Sequence, residues 1–312
     1  MVAGGLQASG NGTRQRVYPA EFEYFVPQTL DEAVQLLDRY GPEAKVLAGG
    51  QSLLPMMKLR IASPRYLIDI NRVEGLDRLH CEDDRLVIGA LCRHADIGGS
   101  GVVRDRLPIL YDAAALTADV QVRNRGTVAG SVAHADPAGD WPAALMALDT
   151  EVMITGLNGV RSLSLDAFIV DAYTTSLEGP EIVSGLSVRL PPKPAGGAYV
   201  KFEKRAGDFA VASVGIQLEL NGDRCASVAV SLGALGARPI RARTAEQLLE
   251  GKMSAPDVLA EAERLVCEAA QPFEDTRGSI EYKRHLAGVL FRRAFDAALD
   301  RARGFERDTI HI

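Results

Sequence analysis

The stretch Ala44-Lys45-Val46-Leu47-Ala48-Gly49-Gly50-Gln51-Ser52-Leu53-Leu54-Pro55-Met56-Met57-Lys58 joins a short apolar run to a glycine pair. Ala44 to Leu47 reads as a buried strand, and Gly49-Gly50 breaks the chain directly after it. Upstream, Thr29 and Glu32 stand at capping-box spacing, and Leu30, Ala33, Val34 and Leu37 recur at helical intervals until Gly41 stops them. Downstream, Tyr66 to Ile70 is a second apolar run bounded like a strand. The opening is therefore β-α-β-like, with a glycine turn between two strands. Such a turn lets successive amides face inward and bind a phosphate or diphosphate by dipoles alone; a plain turn is the competing reading.

Beyond this unit, Arg85 to Leu91 reads as a strand and Leu107 to Leu116 as a helix. Thr127 to Ala133 is a small-residue segment that ends in a loop, His134 to Asp140. Pro142 suits the first turn of a helix that continues through Ala143 to Leu148. Strands are expected at Glu151 to Thr155 and Ile182 to Leu190, before the domain boundary at Pro191-Pro192-Lys193-Pro194. After it, Val211 to Leu220 and Cys225 to Leu232 flank Asn221-Gly222 and should pair as antiparallel strands. Ala255 to Ala270 and Ser279 to Arg303 have helical spacing. Lys283, Arg284, Arg292 and Arg293 of the last helix are read as a solvated face on which a partner subunit could dock. No repeat of solenoid period is present. The fold class is α+β, a mixed N-terminal domain followed by a smaller domain of antiparallel sheet plus helices.

A chain of 312 residues corresponds to about two domains at roughly 150 residues each. Hydrophobic residues at 47% and charged residues at 24% match folded globular proteins and exclude disordered, collagenous and coiled-coil classes. With 35 basic and 41 acidic side chains, the net charge of −6 lacks the basic footprint of a nucleic-acid binder. Cys81, Cys92, Cys225 and Cys267 contain no C-x-x-C pair, which argues against an iron–sulfur cluster or other metal site within this chain. No apolar run is long enough to span a membrane and no secretory leader is recognisable, so a cytoplasmic protein with reduced thiols is expected. The sequon Asn11-Gly12-Thr13 is then a chance match. Residues 1–17, rich in Gly, Ser, Asn and Gln, read as a flexible extension.

Motifs for Rossmann, P-loop, zincin and α/β-hydrolase chemistry are missing. A second conspicuous segment is Arg123-Asn124-Arg125-Gly126-Thr127-Val128-Ala129-Gly130-Ser131, followed by Ala133-His134-Ala135-Asp136-Pro137 and Asp140-Trp141-Pro142. Its small and hydroxyl side chains suit close approach of ribityl and phosphate groups. Asp140 could accept hydrogen bonds from sugar hydroxyls, or cap the helix that Pro142 opens. His134 could be read as a proton shuttle, but no nucleophile pattern accompanies it, so a loop histidine is the better description. Met56, Met57 and Trp141 are read as core packing.

In order and texture the two segments resemble the FAD-binding subunit of the molybdenum hydroxylases, the xanthine dehydrogenase and aerobic carbon monoxide dehydrogenase family, over roughly residues 20–303. That family carries A-G-G-[HQ]-S-L-x-P-x-M-K and R-N-x-G-T-[IL]-G-G-N-x-x-[HN]-[AG]-x-P-x-x-D around the FAD diphosphate, ribityl chain and ring. The resemblance implies Ala48, Gly49, Gly50, Gln51, Ser52 and Leu53 from the first motif as cofactor-binding residues. From the second it implies Thr127, Val128, Ala129, Gly130, Ser131, His134, Asp136 and Asp140. Ala129-Gly130-Ser131 departs from the family's Gly-Gly-Asn, where the resemblance implies that an alanine methyl would crowd the flavin and that serine would offer a shorter hydrogen-bonding arm. A third match, Tyr199-Val200-Lys201-Phe202-Glu203-Lys204-Arg205-Ala206-Gly207-Asp208-Phe209-Ala210, implies that Lys201 reaches the flavin, where its charge would favour the reduced, anionic ring. An ordinary charged strand edge is the alternative. Ile182 or Val183 matches the backbone position that meets the adenine.

The implied architecture is a two-subdomain, PCMH-type FAD-binding domain over residues 18–192, a C-terminal flavoprotein domain over 196–303 and a tail over 304–312. The implied function is electron transfer: a large molybdopterin subunit oxidises the substrate, two-iron two-sulfur clusters on a small subunit relay electrons, and FAD passes them to NAD, a quinone or oxygen. A free-standing FAD oxidoreductase acting directly on a small molecule is the alternative, and a flavin-free scaffold is the third reading.

Overall fold

The computed structural model describes residues 18–305 and 307–311, so the expected extension over residues 1–17 lies outside the described residues. Strand β1 (Glu23–Phe25) leads into helix α1 (Leu30–Tyr40). Here the Thr29 hydroxyl accepts from the Glu32 amide, as the spacing dictates, while the Glu32 carboxylate reaches one residue beyond the N-cap and accepts from the Gln28 amide, so only the Thr29 half of the capping box forms. Strand β2 (Ala44–Leu47), helix α2 (Leu53–Lys58) and strand β3 (Tyr66–Asp69) complete the unit. Its sheet is parallel, in the order β1-β3-β2. Tyr40 stacks on Tyr66 at 3.9 Å between ring centroids and locks α1 onto the sheet.

Next come β4 (Leu79–Glu82) and β5 (Arg85–Gly89), and then six helices: α3 (His94–Gly99), α4 (Gly101–Arg106), α5 (Pro108–Leu116), α6 (Val120–Arg123), α7 (Val128–His134) and α8 (Asp140–Met146). Strands β6 (Thr150–Gly156) and β7 (Gly159–Ser164), helix α9 (Leu165–Phe168), the ribbon β8 (Ile169–Asp171) and β9 (Thr174–Thr175), and strand β10 (Ile182–Arg189) follow. An antiparallel sheet in the order β4-β5-β10-β6-β7 results, with α3 to α8 as one long excursion between neighbouring regions of that sheet. The small-residue segment after Thr127 is helix α7, which extends through His134, the residue at which the sequence leads one to expect a loop. Thr127 caps α7 by accepting from the Gly130 amide at 3.1 Å, and Val128 and Val132 are fully buried.

The C-terminal part forms an antiparallel sheet of β11 (Ala195–Phe202), β12 (Ala212–Asn221), β13 (Arg224–Gly233) and β14 (Ile240–Arg241), with helices α10 (Arg243–Leu249), α11 (Pro256–Ala269) and α12 (Ile280–Ala302). Asn221 pairs with Arg224, so the β12–β13 turn is Gly222-Asp223, one residue later than the Asn-Gly dipeptide suggests. One face of this sheet packs on α12; α5 and α8 of the N-terminal part cover the other. Two apolar cores result, one built from residues between Ala33 and Tyr199 and the other between Ala198 and Ala302.

Two features differ from expectation here. Lys283 is buried in α12, donating to Phe273 O at 2.8 Å and pairing with Asp275 at 2.8 Å, whereas Arg284 and Arg293 are exposed and Arg292 is half-exposed, so the solvated face excludes only Lys283. The segment read as a tail folds back: Thr309 donates to Asp112 at 2.8 Å, and Arg301 joins Asp112, Gly197 O and Arg307 O.

Candidate cofactor site

The two glycine-bearing turns, distant in sequence, meet backbone to backbone. A methyl on Gly49 would lie 2.4 Å from Arg125 O, 2.8 Å from Gly126 Cα and 3.0 Å from Thr127 N. Only glycine fits so close an approach. Gly50 has φ +75°, a conformation that favours glycine. Leu54 N and Met56 N return to Gly50 O and Ser52 O, whereas among the described residues the amides of Gly49, Gly50, Gln51, Ser52 and Leu53 donate to no acceptor of the chain. Five successive free donors form a concave nest at the end of β2.

The nest opens into a cavity of about 560 Å³ that runs between the two subdomains of the N-terminal part to Gly207, Asp208 and Phe209 of the β11–β12 connection. Ala48, Gly49, Gly50, Gln51, Ser52, Leu53, Thr127, Ala129, Gly130, Ser131, His134, Asp140, Ile182 and Val183 all line it. Val128, Asp136 and Lys201 do not. Val128 is fully buried, and its amide is taken by Cys92 O at 3.2 Å. Asp136 folds back to accept from the Ala138 amide at 2.9 Å.

Lys201 departs most from expectation. Its side chain is 0% exposed, 3.3 Å from the Asp140 carboxylate and 2.9 Å from that of Glu203, and it donates to Asp208 O at 3.0 Å. The ammonium therefore sits behind the cavity wall, and Asp140 is the group that faces the cavity. Nor does Asp140 cap α8: it is the first helical residue, with Gly139 at the cap position, and it also accepts from Tyr199 Oη at 2.9 Å. Burial pushes the Asp140 pKa up, opposed by Lys201 and the Tyr199 hydroxyl. The Tyr199 hydroxyl is driven well above its usual range by burial and by Asp140.

Several further residues form the wall: His94 of α3, Thr117 and Ala118 after α5 and Tyr173 of the β8–β9 turn, which carry no sequence motif, and Gly207, Asp208 and Phe209. The last three lie within the third matched segment, which was the available signal. His94 stacks on Trp141 at 5.2 Å, and burial lowers its pKa to about 4, so it is a neutral imidazole at pH 7. Met56 and Trp141, expected to be core, also line the cavity. Among the described residues, no cluster of potential metal ligands is present and no helix is long and apolar enough to cross a membrane.

Residues 20–193 match the family described as FAD binding domain in molybdopterin dehydrogenase, and residues 197–298 match the CO dehydrogenase flavoprotein C-terminal domain. The carbon monoxide dehydrogenase medium chain of Hydrogenophaga pseudoflava is 38% identical over 280 residues, covering 90% of this chain and 98% of that one. The 6-hydroxypseudooxynicotine dehydrogenase complex subunit alpha of Paenarthrobacter nicotinovorans is 35% identical, covering 94% of this chain and 99% of that one. Among solved structures, a carbon monoxide dehydrogenase from Hydrogenophaga pseudoflava superposes with a TM-score of 0.89 at 40% identity, covering 91% of this chain and 99% of that one. Quinoline 2-oxidoreductase from Pseudomonas putida 86 gives 0.86 at 32% identity, with coverage of 91% and 99%. The chain therefore belongs to the FAD-binding medium subunits of molybdenum hydroxylase-type dehydrogenases, with FAD as its cofactor.

Proposed function

We propose that this chain is the electron-transfer subunit of such an enzyme, taking electrons from iron–sulfur clusters on a small partner subunit and delivering them to NAD, a quinone or oxygen. A large molybdopterin-bearing partner would oxidise the substrate. Relatives named as a medium chain and as a complex subunit support an assembly of several chains. The observation that carries the reading is the backbone contact between the Gly49 and Gly126 turns, beside five amides with no acceptor.

The residues fit FAD in kind. A diphosphate supplies the anionic acceptors that the amides of Gly49 to Leu53 lack, and a side chain at Gly49 would collide with the second turn. Thr127, Ala129, Gly130 and Ser131 at the start of α7 would complete the phosphate and ribityl contacts, and Ile182 and Val183 would meet the adenine. His134 and Asp140 would line the ring half of the cavity, with Lys201 acting only through Asp140. When bound, FAD supplies chemistry that accepts electrons singly and releases them in pairs. The protein's part is to orient it, to hold Asp140 in place through Lys201 and Tyr199, and to keep a neutral His94 in the wall.

The test is co-expression with the neighbouring open reading frames, followed by size-exclusion chromatography and metal analysis. The proposal expects a yellow complex containing iron and molybdenum. A flavoprotein monomer that turns over a small molecule by itself would establish the free-standing reading instead.

A further inference from the structure

A chain of three hydrogen bonds runs behind the cavity from one glycine turn to the other. Asn71 Nδ2, just after β3, donates to Ala48 O at 2.8 Å. Arg93 Nη2 donates to Asn71 Oδ1 at 2.6 Å, and Arg93 Nη1 donates to Arg125 O at 2.6 Å. That Arg125 carbonyl is the atom against which Gly49 packs. Both members of the bridge are anchored. Asp69 accepts from the Asn71 amide at 2.9 Å, and backbone bonds tie the residues flanking Arg93 to the second turn: His94 N to Gly126 O and Val128 N to Cys92 O. Neither Asn71 nor Arg93 lines the cavity, and no carboxylate lies within 4.0 Å of the Arg93 guanidinium among the described residues. The guanidinium is directed at two neutral acceptors, one belonging to each side of the site.

We infer that Asn71 and Arg93 are positioning residues for the diphosphate site, a clamp that fixes the spacing of the two turns before the cofactor arrives. This rests on the FAD reading of the cavity. The physical requirement is two-pronged: the planar guanidinium fork reaches two acceptors in different directions at once, which an ammonium on a flexible stem does not reproduce. A nest of backbone amides has no side-chain freedom with which to follow a ligand, so its affinity depends on the spacing being preset.

The test uses the full chain stripped of flavin and titrated with FAD, comparing wild type with R93K, R93M, N71A and the N71A/R93M double variant; apo melting temperatures are measured in parallel. R93K keeps the charge and nearly the volume, so it stays informative if N71A folds poorly. The clamp predicts that R93K weakens FAD binding by about fivefold or more, as R93M does, because geometry rather than charge is lost. It also predicts that the double variant is no worse than the weaker single by more than about twofold, since either cut opens the same bridge. R93K binding within about fivefold of wild type, or losses that simply add in the double variant, overturns the clamp. A wild-type chain that takes up no FAD would remove the flavin reading instead.

Discussion

Replacing Gly49 with alanine places a methyl 2.4 Å from Arg125 O and 2.8 Å from Gly126 Cα, where ordinary contact begins at 3.4 Å. Both are backbone atoms that cannot rotate away: the Arg125 and Gly126 amides are held by Val122 O at 3.0 and 2.7 Å. The turns must therefore separate by about 1 Å, and overpacking of this kind costs roughly 1–3 kcal/mol of stability. The effect on the cofactor should be larger, because misplacing binding groups by ~1 Å costs on the order of 10²-fold, or about 2.7 kcal/mol. FAD content per chain by visible absorbance, and Kd by titration at a temperature where the apo chain is folded, measure this directly. Gly101→Ala, at the start of α4 with nothing within 4 Å of the added carbon, is the control and should bind as wild type does. If Gly49→Ala retained stoichiometric FAD with a Kd within about twofold of wild type, the two turns would not be acting as one site.

Gly50→Glu adds a strained residue at φ +75° and a carboxylate beside the free amides, so the variant should purify without flavin; one FAD per chain would contradict the placement. Lys201→Met leaves Asp140 and Glu203 buried without their cation and should cost about 3–5 kcal/mol in urea unfolding, whereas a loss near zero would show that the ammonium does not compensate them. For His94 the folded-state pKa is about 4 against 6.5 for the free side chain, so the unfolded chain binds more protons between those values and stability falls as the pH drops through that window. The group's contribution is fully present above pH 6.5 and declines by about 2 kcal/mol on going to pH 5; His94→Gln should flatten that part of the urea-midpoint profile, and an unchanged slope would refute the assignment.

Where the signal was local, the sequence sufficed. The Thr29–Glu32 spacing and Gly41 bound α1 to within a residue, and the break at Gly49-Gly50 marked both the end of β2 and the nest. Helix α7 was not legible because Val128, Gly130, Ser131 and Val132 are weak helix formers; its Thr127 cap and the burial of its two valines override propensity. Of the basic residues of α12, Lys283 alone misled. The outward-facing default holds for Arg284 and Arg293, which are exposed, and for the half-exposed Arg292, but Lys283 falls on the side covered by the sheet and α11 and so pairs with Asp275 and Phe273 O instead.

The part of the cavity lined by His94, Ala118 and Tyr173 shows the limit more sharply. His94 at the start of α3, Ala118 after α5 and Tyr173 of the β8–β9 turn are far apart in sequence, only the tertiary fold brings them together, and none belongs to a motif. Asp140 and Lys201 were both legible as residues of interest, yet one from α8 and the other from β11 read as two separate cofactor contacts until the structure paired them. The pairing changes the electrostatic conclusion. A lone lysine at the wall would favour electrons arriving on the flavin, but Lys201 shares its pocket with Asp140 and Glu203. Whether Asp140 is charged or protonated, one cation beside Glu203 and Asp140 gives the cluster no net positive charge. On the proposed placement of the ring beside Asp140, the wall offers no excess of positive field and removing Lys201 makes it more negative, so a chain that retains FAD after Lys201→Met should show a lower reduction potential.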